Sequence, residues 1–248
     1  MSAWIILLIA LFAGALIGCI GIGGVLVVPA LVYLAGTLIH DAIAAAMFSY
    51  LFSGAAATWV FARKGSIDWA SSAWLASGAV PGAFAGALSA SVVPSHVLEL
   101  MIAALVLLAG LRALRPVDAR YKSTVLSRGA LAGIGAVVGF GSAITGTGGP
   151  LMLVPLLVWL RVPILATIGL SQAIQLPIAA LATAGNLLAG QLDLRLGLFL
   201  GVALTVGSLA GARLAHVVST VVLTRLVGAL MLAVGLMIPL RMLASLLP

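Results

Sequence analysis

Residues 21–31 read GIGGVLVVPAL, and residues 146–157 read GTGGPLMLVPLL. One Gly-x-Gly-Gly is a common turn. Two copies, each followed by an apolar run and a proline and set 125 residues apart in a chain of 248, signal a repeat. At the same offset Gly14 falls on Gly139, Thr58 on Thr183, and Gly65 and Asp68 on Gly190 and Asp193. Gly82 and Gly86 fall on Gly207 and Gly211, and Leu105, Gly110 and Leu111 on Leu230, Gly235 and Leu236. Pro29 and Pro155 miss by one position. Matches from one end of the half to the other, with Asp among them, point to a duplication.

The repeat lies in a very apolar chain. Sixty-four per cent of residues are hydrophobic, 7% are charged, and the mean hydropathy is +1.33. A soluble domain carries about 25% charged residues, so this chain cannot cover its apolar side chains with its own polar surface and reads as an integral membrane protein. Positions 1–39, 42–62, 69–95, 129–160, 162–192 and 196–212 hold no Asp, Glu, Lys or Arg. About 20 residues of helix cross a bilayer, so the longest of these runs contain a turn within the membrane. Strict alternation is absent, which excludes a β-barrel and leaves helices.

The fold expected is an all-α integral membrane protein of two five-segment repeats, each with a broken or hairpin first helix, giving roughly 8–10 membrane segments. The first half reads as segments at 3–20, 25–38, 42–62, 70–92 and 97–114, the second as 128–145, 150–160, 163–189, 196–214 and 220–241. The repeats are 1–114 and 128–248, joined by a polar linker at 115–127. Basic residues set the topology. The linker region carries Arg112, Arg115, Arg120, Lys122 and Arg128, which marks it as cytoplasmic. With a hairpin at the start of each half, the halves are inverted and ten basic residues fall on that side against two, Arg195 and Arg241. Equivalent loops then carry opposite charge bias: Asp41 against Arg161, and Glu99 against Arg213 and Arg225.

In this setting the Gly-rich turns acquire a purpose. Irregular backbone at membrane depth is tolerated only where it is buried in protein or lines a cavity. Gly21, Gly23 and Gly24, and Gly148 and Gly149 in the second copy, precede short helices; Pro150 suits a first helical position. Each helix start offers free N–H groups and a positive dipole end, which favour an anion. Two such ends meeting near the midplane are a transporter layout. Ser49, Thr145, Thr147, Ser171, Gln172 and Gln175 are the polar side chains expected to complete the site, with Gln172 and Gln175 on one helix face. A structural role in interhelical hydrogen bonding remains open for the Gln pair. The first-half counterparts of Thr145 and Thr147 are Ile20 and Ile22, so the site is expected to be asymmetric. The Gly82–Gly86 pair is expected only to let helices pack, with Ala at Gly82 milder than Val at Gly149.

Other chemistry is absent from the sequence. No metal site, cofactor motif, P-loop or protease signature is present, and no enzyme activity is expected. The net charge of +7 lies between apolar runs rather than in an aromatic-laced patch, so no nucleic acid is expected. The lone Cys19 excludes an internal disulfide. Its context, LIGC at 16–19, lacks the basic residues of a signal peptide and reads as a packed membrane cysteine.

These motifs resemble the TauE/SafE family of membrane transporters, called sulfite exporters. The resemblance rests on GIGGVLVVPAL, GSIDW at 65–69, GTGGPLMLVPLL, SQAIQLPIA at 171–179 and AGQLD at 189–193. It implies a secondary transporter of small anions, sulfite, organosulfonates or related organic acids, in a multi-pass protein of the cell (inner) membrane. The expected partners are the small anionic substrate and the lipid bilayer, with self-association into a homo-oligomer left open. An anion channel or leak and a non-transporting scaffold are the alternatives.

Overall fold

The computed structural model describes residues 3–114, 126–160 and 162–215, with scattered positions from 217 to 240. The linker at 115–125 and most of the expected last segment lie outside the described residues. Among the described residues all regular structure is helical. Helix α1 spans Ala3–Ile20; a 3₁₀ turn, Gly23–Leu26, leads into α2, Val27–Ala35. Then come α3, Ile39–Arg63; α4, Trp69–Ala90; and α5, Ser95–Leu114. The second half gives α6, Arg128–Thr145; α7, Pro150–Trp159; α8, Ile164–Leu188; and α9, Leu194–Leu214. Five of these, in α3, α4, α6, α8 and α9, are long and apolar enough to cross a membrane.

The first helix of each half ends in a hairpin. Gly21 adopts φ +79° and Gly146 φ +70°, the left-handed conformation that ends a helix most cheaply at Gly. The chain then folds back: a Cβ on Gly23 would strike the carbonyl oxygen of Ala13, and one on Gly141 would lie 2.6 Å from Met152 Sδ. Segments α1–α2 and α6–α7 are therefore re-entrant, and the short α2 and α7 return to the side from which they came.

The tightest seams join one half to the other. Helix α1 packs on α9, and α4 on α6. Along the first seam Gly14 abuts Leu204 and Gly18 abuts Ser208 and Ala212, so α1 and α9 run in the same direction. Along the second, Gly78 abuts Ala132, Gly82 abuts Ala136 and Gly86 abuts Phe140, so α4 and α6 also run together. The two seams correspond at the 125-residue offset. Gly14 on Leu204 becomes Gly139 on Ala79, Gly207 on Leu11 becomes Gly82 on Ala136, and Gly211 on Ala15 becomes Gly86 on Phe140. Glycine is required because backbone meets backbone, the usual device for packing helices in lipid.

Helices α3 and α8 cross at the centre in opposite directions, since Ser53 meets Gln175 while Thr58 meets Gln172. Phe48 and Phe52 lie on Gly197 and Gly201, so α3 runs with α9; Ser66 lies on Gly169 and Ala87 on Gly185, so α4 runs with α8. Helices α1, α3 and α9 thus point one way and α4, α6 and α8 the other. Each pair of counterparts (α1 and α6, α3 and α8, α4 and α9) is opposed.

The ends of the bundle are also matched. Asp68 caps α4 by accepting from the N–H groups of Ala70 and Ser71, and Asp193 caps α9 by accepting from those of Arg195 and Leu196. Gly65 and Gly190 precede them with φ +66° and +69°. At the Asp68 end, the Arg63 guanidinium lies 4.1 Å from the Trp59 ring centre and that of Arg128 lies 5.7 Å from the Trp74 ring centre. Exposed tryptophans beside basic residues suit a membrane–water boundary.

Candidate functional site

The two Gly-rich turns meet each other at the centre of the bundle. A Cβ on Gly24 would lie 2.7 Å from the Thr147 carbonyl oxygen, and one on Gly21 would lie 3.0 Å from Pro150 Cβ. A Cβ on Gly146 would lie 2.7 Å from Val28 Cγ2. Each turn thus sits against the start of the other half's short helix. All residues from Ile17 to Val28 and from Ala143 to Leu151 on these turns are buried except where helix faces emerge beyond them.

The backbone explains why Gly is needed. Gly148 has φ +81° and Gly149 φ +102°, a region that L-residues with a Cβ enter only under strain. This succession turns the chain so that α7 begins at Pro150. Gly146 N–H and Thr147 N–H both donate to the Ser142 carbonyl, which ends α6. The N–H groups of Gly148 and Gly149 donate to no acceptor among the described residues. In the first half the 3₁₀ turn begins at Gly23 with no side-chain cap from Ile22. Two buried helix starts therefore present unpaired N–H groups, the positive ends of their peptide dipoles, within a bundle core that contains no carboxylate among its buried residues.

Tyr50 joins the turns. Its hydroxyl donates to the Gly24 carbonyl at 2.7 Å, and its ring lies under Gly148, where a Cβ would be 2.9 Å from Cδ2. The side chain is fully buried. From sequence Tyr50, like its neighbour Ser49, is a polar residue of the third segment that could face a cavity; the fold makes it the wedge between the two halves.

The expected polar residues divide into two groups. Gln172 reaches the junction, and Gln175 lies against Ser53 and Gly54 of α3. Gln172 Nε2 donates to the Ile17 carbonyl at 2.6 Å, tying α8 to the end of α1, while its Oε1 has no partner among the described residues. Gln175 Nε2 donates to Ser53 Oγ at 3.4 Å. The Gln pair therefore does make interhelical bonds. Ser49, Ser171 and Thr145 instead spend their hydroxyl protons on their own helices, on Ala46, Thr167 and Gly141 carbonyls at 2.6–2.7 Å. With the Thr145 proton so used, Thr147 donates to Thr145 Oγ1 at 3.1 Å. In this conformation none of these four hydroxyls offers a spare proton. Helical Ser and Thr commonly bond back to the preceding turn, and the residue types alone do not show this.

Gly82 packs backbone to backbone, as the GxxxG spacing suggested, and the fit is tight, because a Cβ there would overlap the Ala136 carbonyl oxygen. Two features escaped the sequence reading. Ser142 Oγ is buried without a partner close to Gly149. Tyr33 donates to Glu99 at 3.2 Å between α2 and α5, holding the short helix at its outer end. A lone Ser in a Gly-rich helix and a Glu near a helix start carry no distinguishing signal.

A helical, multi-pass membrane protein with paired re-entrant turns is the class that fold and site define. A model of the sulfite exporter TauE/SafE family matches residues 6–238, and the chain belongs to that family. No curated protein and no solved structure matches it.

Proposed function

We propose that this protein is a secondary transporter of small anions, sulfite or a related sulfonate or organic acid anion, built from an inverted duplication and working by alternating access. Two buried, uncapped helix starts facing each other at the Gly turns carry the reading. They supply N–H donors and dipole ends to an oxyanion without a buried counter-charge. The opposed directions of counterpart helices support a mechanism in which the two halves exchange roles. Family membership supports the substrate class, and the lipid bilayer of the inner membrane is the setting it implies.

The absence of a lysine or arginine from the buried core among the described residues suits a substrate that must leave again. A helix end contributes roughly 0.3–2 kcal/mol to holding an anion, far less than a desolvated ion pair. The turns touch one another in this closed arrangement, so substrate entry requires them to part. Tyr50, bonded to one turn and packed on the other, is placed to report or resist that parting.

Uptake of radiolabelled sulfite by proteoliposomes, with and without an imposed pH gradient, tests the proposal. Saturable uptake that is lost in Gly149→Val is expected, because Val is strained at φ +102° and would press on Ile178. Uptake that never saturates would indicate a channel. No movement of sulfite, thiosulfate or taurine would indicate a scaffold.

A further inference from the structure

Three buried side-chain atoms on α8 lack a hydrogen-bond partner among the described residues: Gln172 Oε1, Thr183 Oγ1 and Asn186 Nδ2. Their residues are 0, 5 and 1% exposed. Helical geometry sets these residues and Gln175 within roughly 80° of arc along about 21 Å of α8. They form a polar stripe from the paired turns to the end of α8 beside Gly190 and Asp193. Leu187, next to Asn186, is 53% exposed and faces outward, so the stripe is on the inner side of the helix.

The wall opposite cannot satisfy the stripe. Extended antiparallel from Ser53 with Gln175 and Thr58 with Gln172, the register runs residues 42–47 of α3 towards the level of Thr183 and Asn186. That stretch is AIAAAM, fully buried and without a polar side chain. Lipid offers no partner either. An unpaired buried donor is costly, and apolar packing at 183 and 186 would avoid that cost. The equivalent face of α3 is different: Thr58, the counterpart of Thr183, donates to the Gln172 carbonyl at 2.8 Å, and Phe61 stands at the position equivalent to Asn186. Only one of the two related faces is left with unused polar groups.

We infer that the α8 stripe, Gln172 to Asn186, is one arm of the anion's route, linking the Gly turns to the end of the bundle that carries Asp193. The inference rests on the transport reading. Thr183 and Asn186 donate to the oxygens of the passing anion, Gln172 Oε1 accepts from its hydrating water, and the alanine wall of α3 moves aside without breaking polar contacts.

Cysteine accessibility tests it. In a Cys19→Ser background, Thr183→Cys, Asn186→Cys and Leu187→Cys are treated with a membrane-impermeant thiol reagent bearing a sulfonate, with Gln191→Cys as the loop reference. Thr183→Cys and Asn186→Cys should react from the Gln191 side only, and excess sulfate should slow them; Leu187→Cys should not react. In parallel, Asn186→Leu should lower sulfite uptake roughly ten- to hundredfold, the size of one lost hydrogen bond to a charged partner. Failure of both Thr183→Cys and Asn186→Cys to react, in protein that transports sulfite and labels at Gln191→Cys, would overturn the stripe and leave the transport reading intact. Wild-type protein that moves no anion would overturn the transport reading instead.

Discussion

Replacing Gly82 with Ala should destabilise the protein, and replacing Gly133 with Ala should not. Both residues lie within helices of the same seam, α4 with α6. A Cβ on Gly82 would sit inside contact distance of the Ala136 carbonyl oxygen, whereas one on Gly133 meets nothing within 4 Å. A comfortable carbon–oxygen contact is about 3.3–3.6 Å, so the Gly82 variant must push α4 and α6 apart by about 1 Å. Overpacking of this kind costs about 1–3 kcal/mol. The gain in helix propensity from Gly to Ala returns roughly 0.8–1 kcal/mol. The net expectation is a loss of up to about 2 kcal/mol for Gly82→Ala and a neutral or slightly favourable change for Gly133→Ala. Gly207→Ala should match Gly82→Ala, because its Cβ would meet the Leu11 carbonyl oxygen in the related seam. The assay is the fraction of monodisperse protein in detergent after heating across a temperature series. If Gly82→Ala and Gly207→Ala melt at or above the wild-type temperature, the backbone contacts do not hold these seams and the reasoning fails. If the two variants differ widely, the correspondence of the seams has no energetic counterpart.

Gln172→Leu with Gln175→Leu should abolish sulfite uptake while costing only about 0.6–2 kcal/mol of stability per interhelical bond; normal uptake by the double variant would confine the pair to a structural role. Asp68→Ala and Asp193→Ala should each cost about 0.5–2 kcal/mol as lost helix caps, read by the same heating series. The Ser71 hydroxyl, with the Ser71 and Ala70 N–H groups, holds the Asp68 carboxyl below its ordinary pKa. Because the folded pKa is the lower one, this cap's contribution is complete above the ordinary carboxylate value and falls away as pH drops through the depressed one, so Asp68→Ala and wild type should converge in stability only in strong acid. Lys64→Cys and Gln191→Cys, in a Cys19→Ser background, should label from opposite sides of sealed vesicles, with Lys64 cytoplasmic; labelling from the same side would contradict the inverted arrangement.

Much of this protein was written in its composition and spacing. Long charge-free runs required membrane helices, because 7% charge cannot solvate a soluble surface of this size. Gly21, Gly146 and Pro150 located the breaks, because left-handed φ and a missing N–H are properties of single residues. Asp68 and Asp193, paired by the offset of 125, both cap helix starts, since a cap acts within its own turn. What the sequence could not hold was which surface of one half met which surface of the other. That Gly82 touches Ala136, that Tyr50 is bonded to Gly24 beneath Gly148, and that Gln172 reaches Ile17 are contacts across 26 to 155 residues of chain. Only the packed bundle decides them, because a side chain's partner depends on helix rotation and crossing, to which neighbouring residues contribute little. The same cause hid the silent hydroxyls of Ser49 and Ser171 and the unpaired ones of Thr183 and Ser142: whether a polar group is satisfied is settled by what lies opposite, and that is a property of the tertiary structure alone.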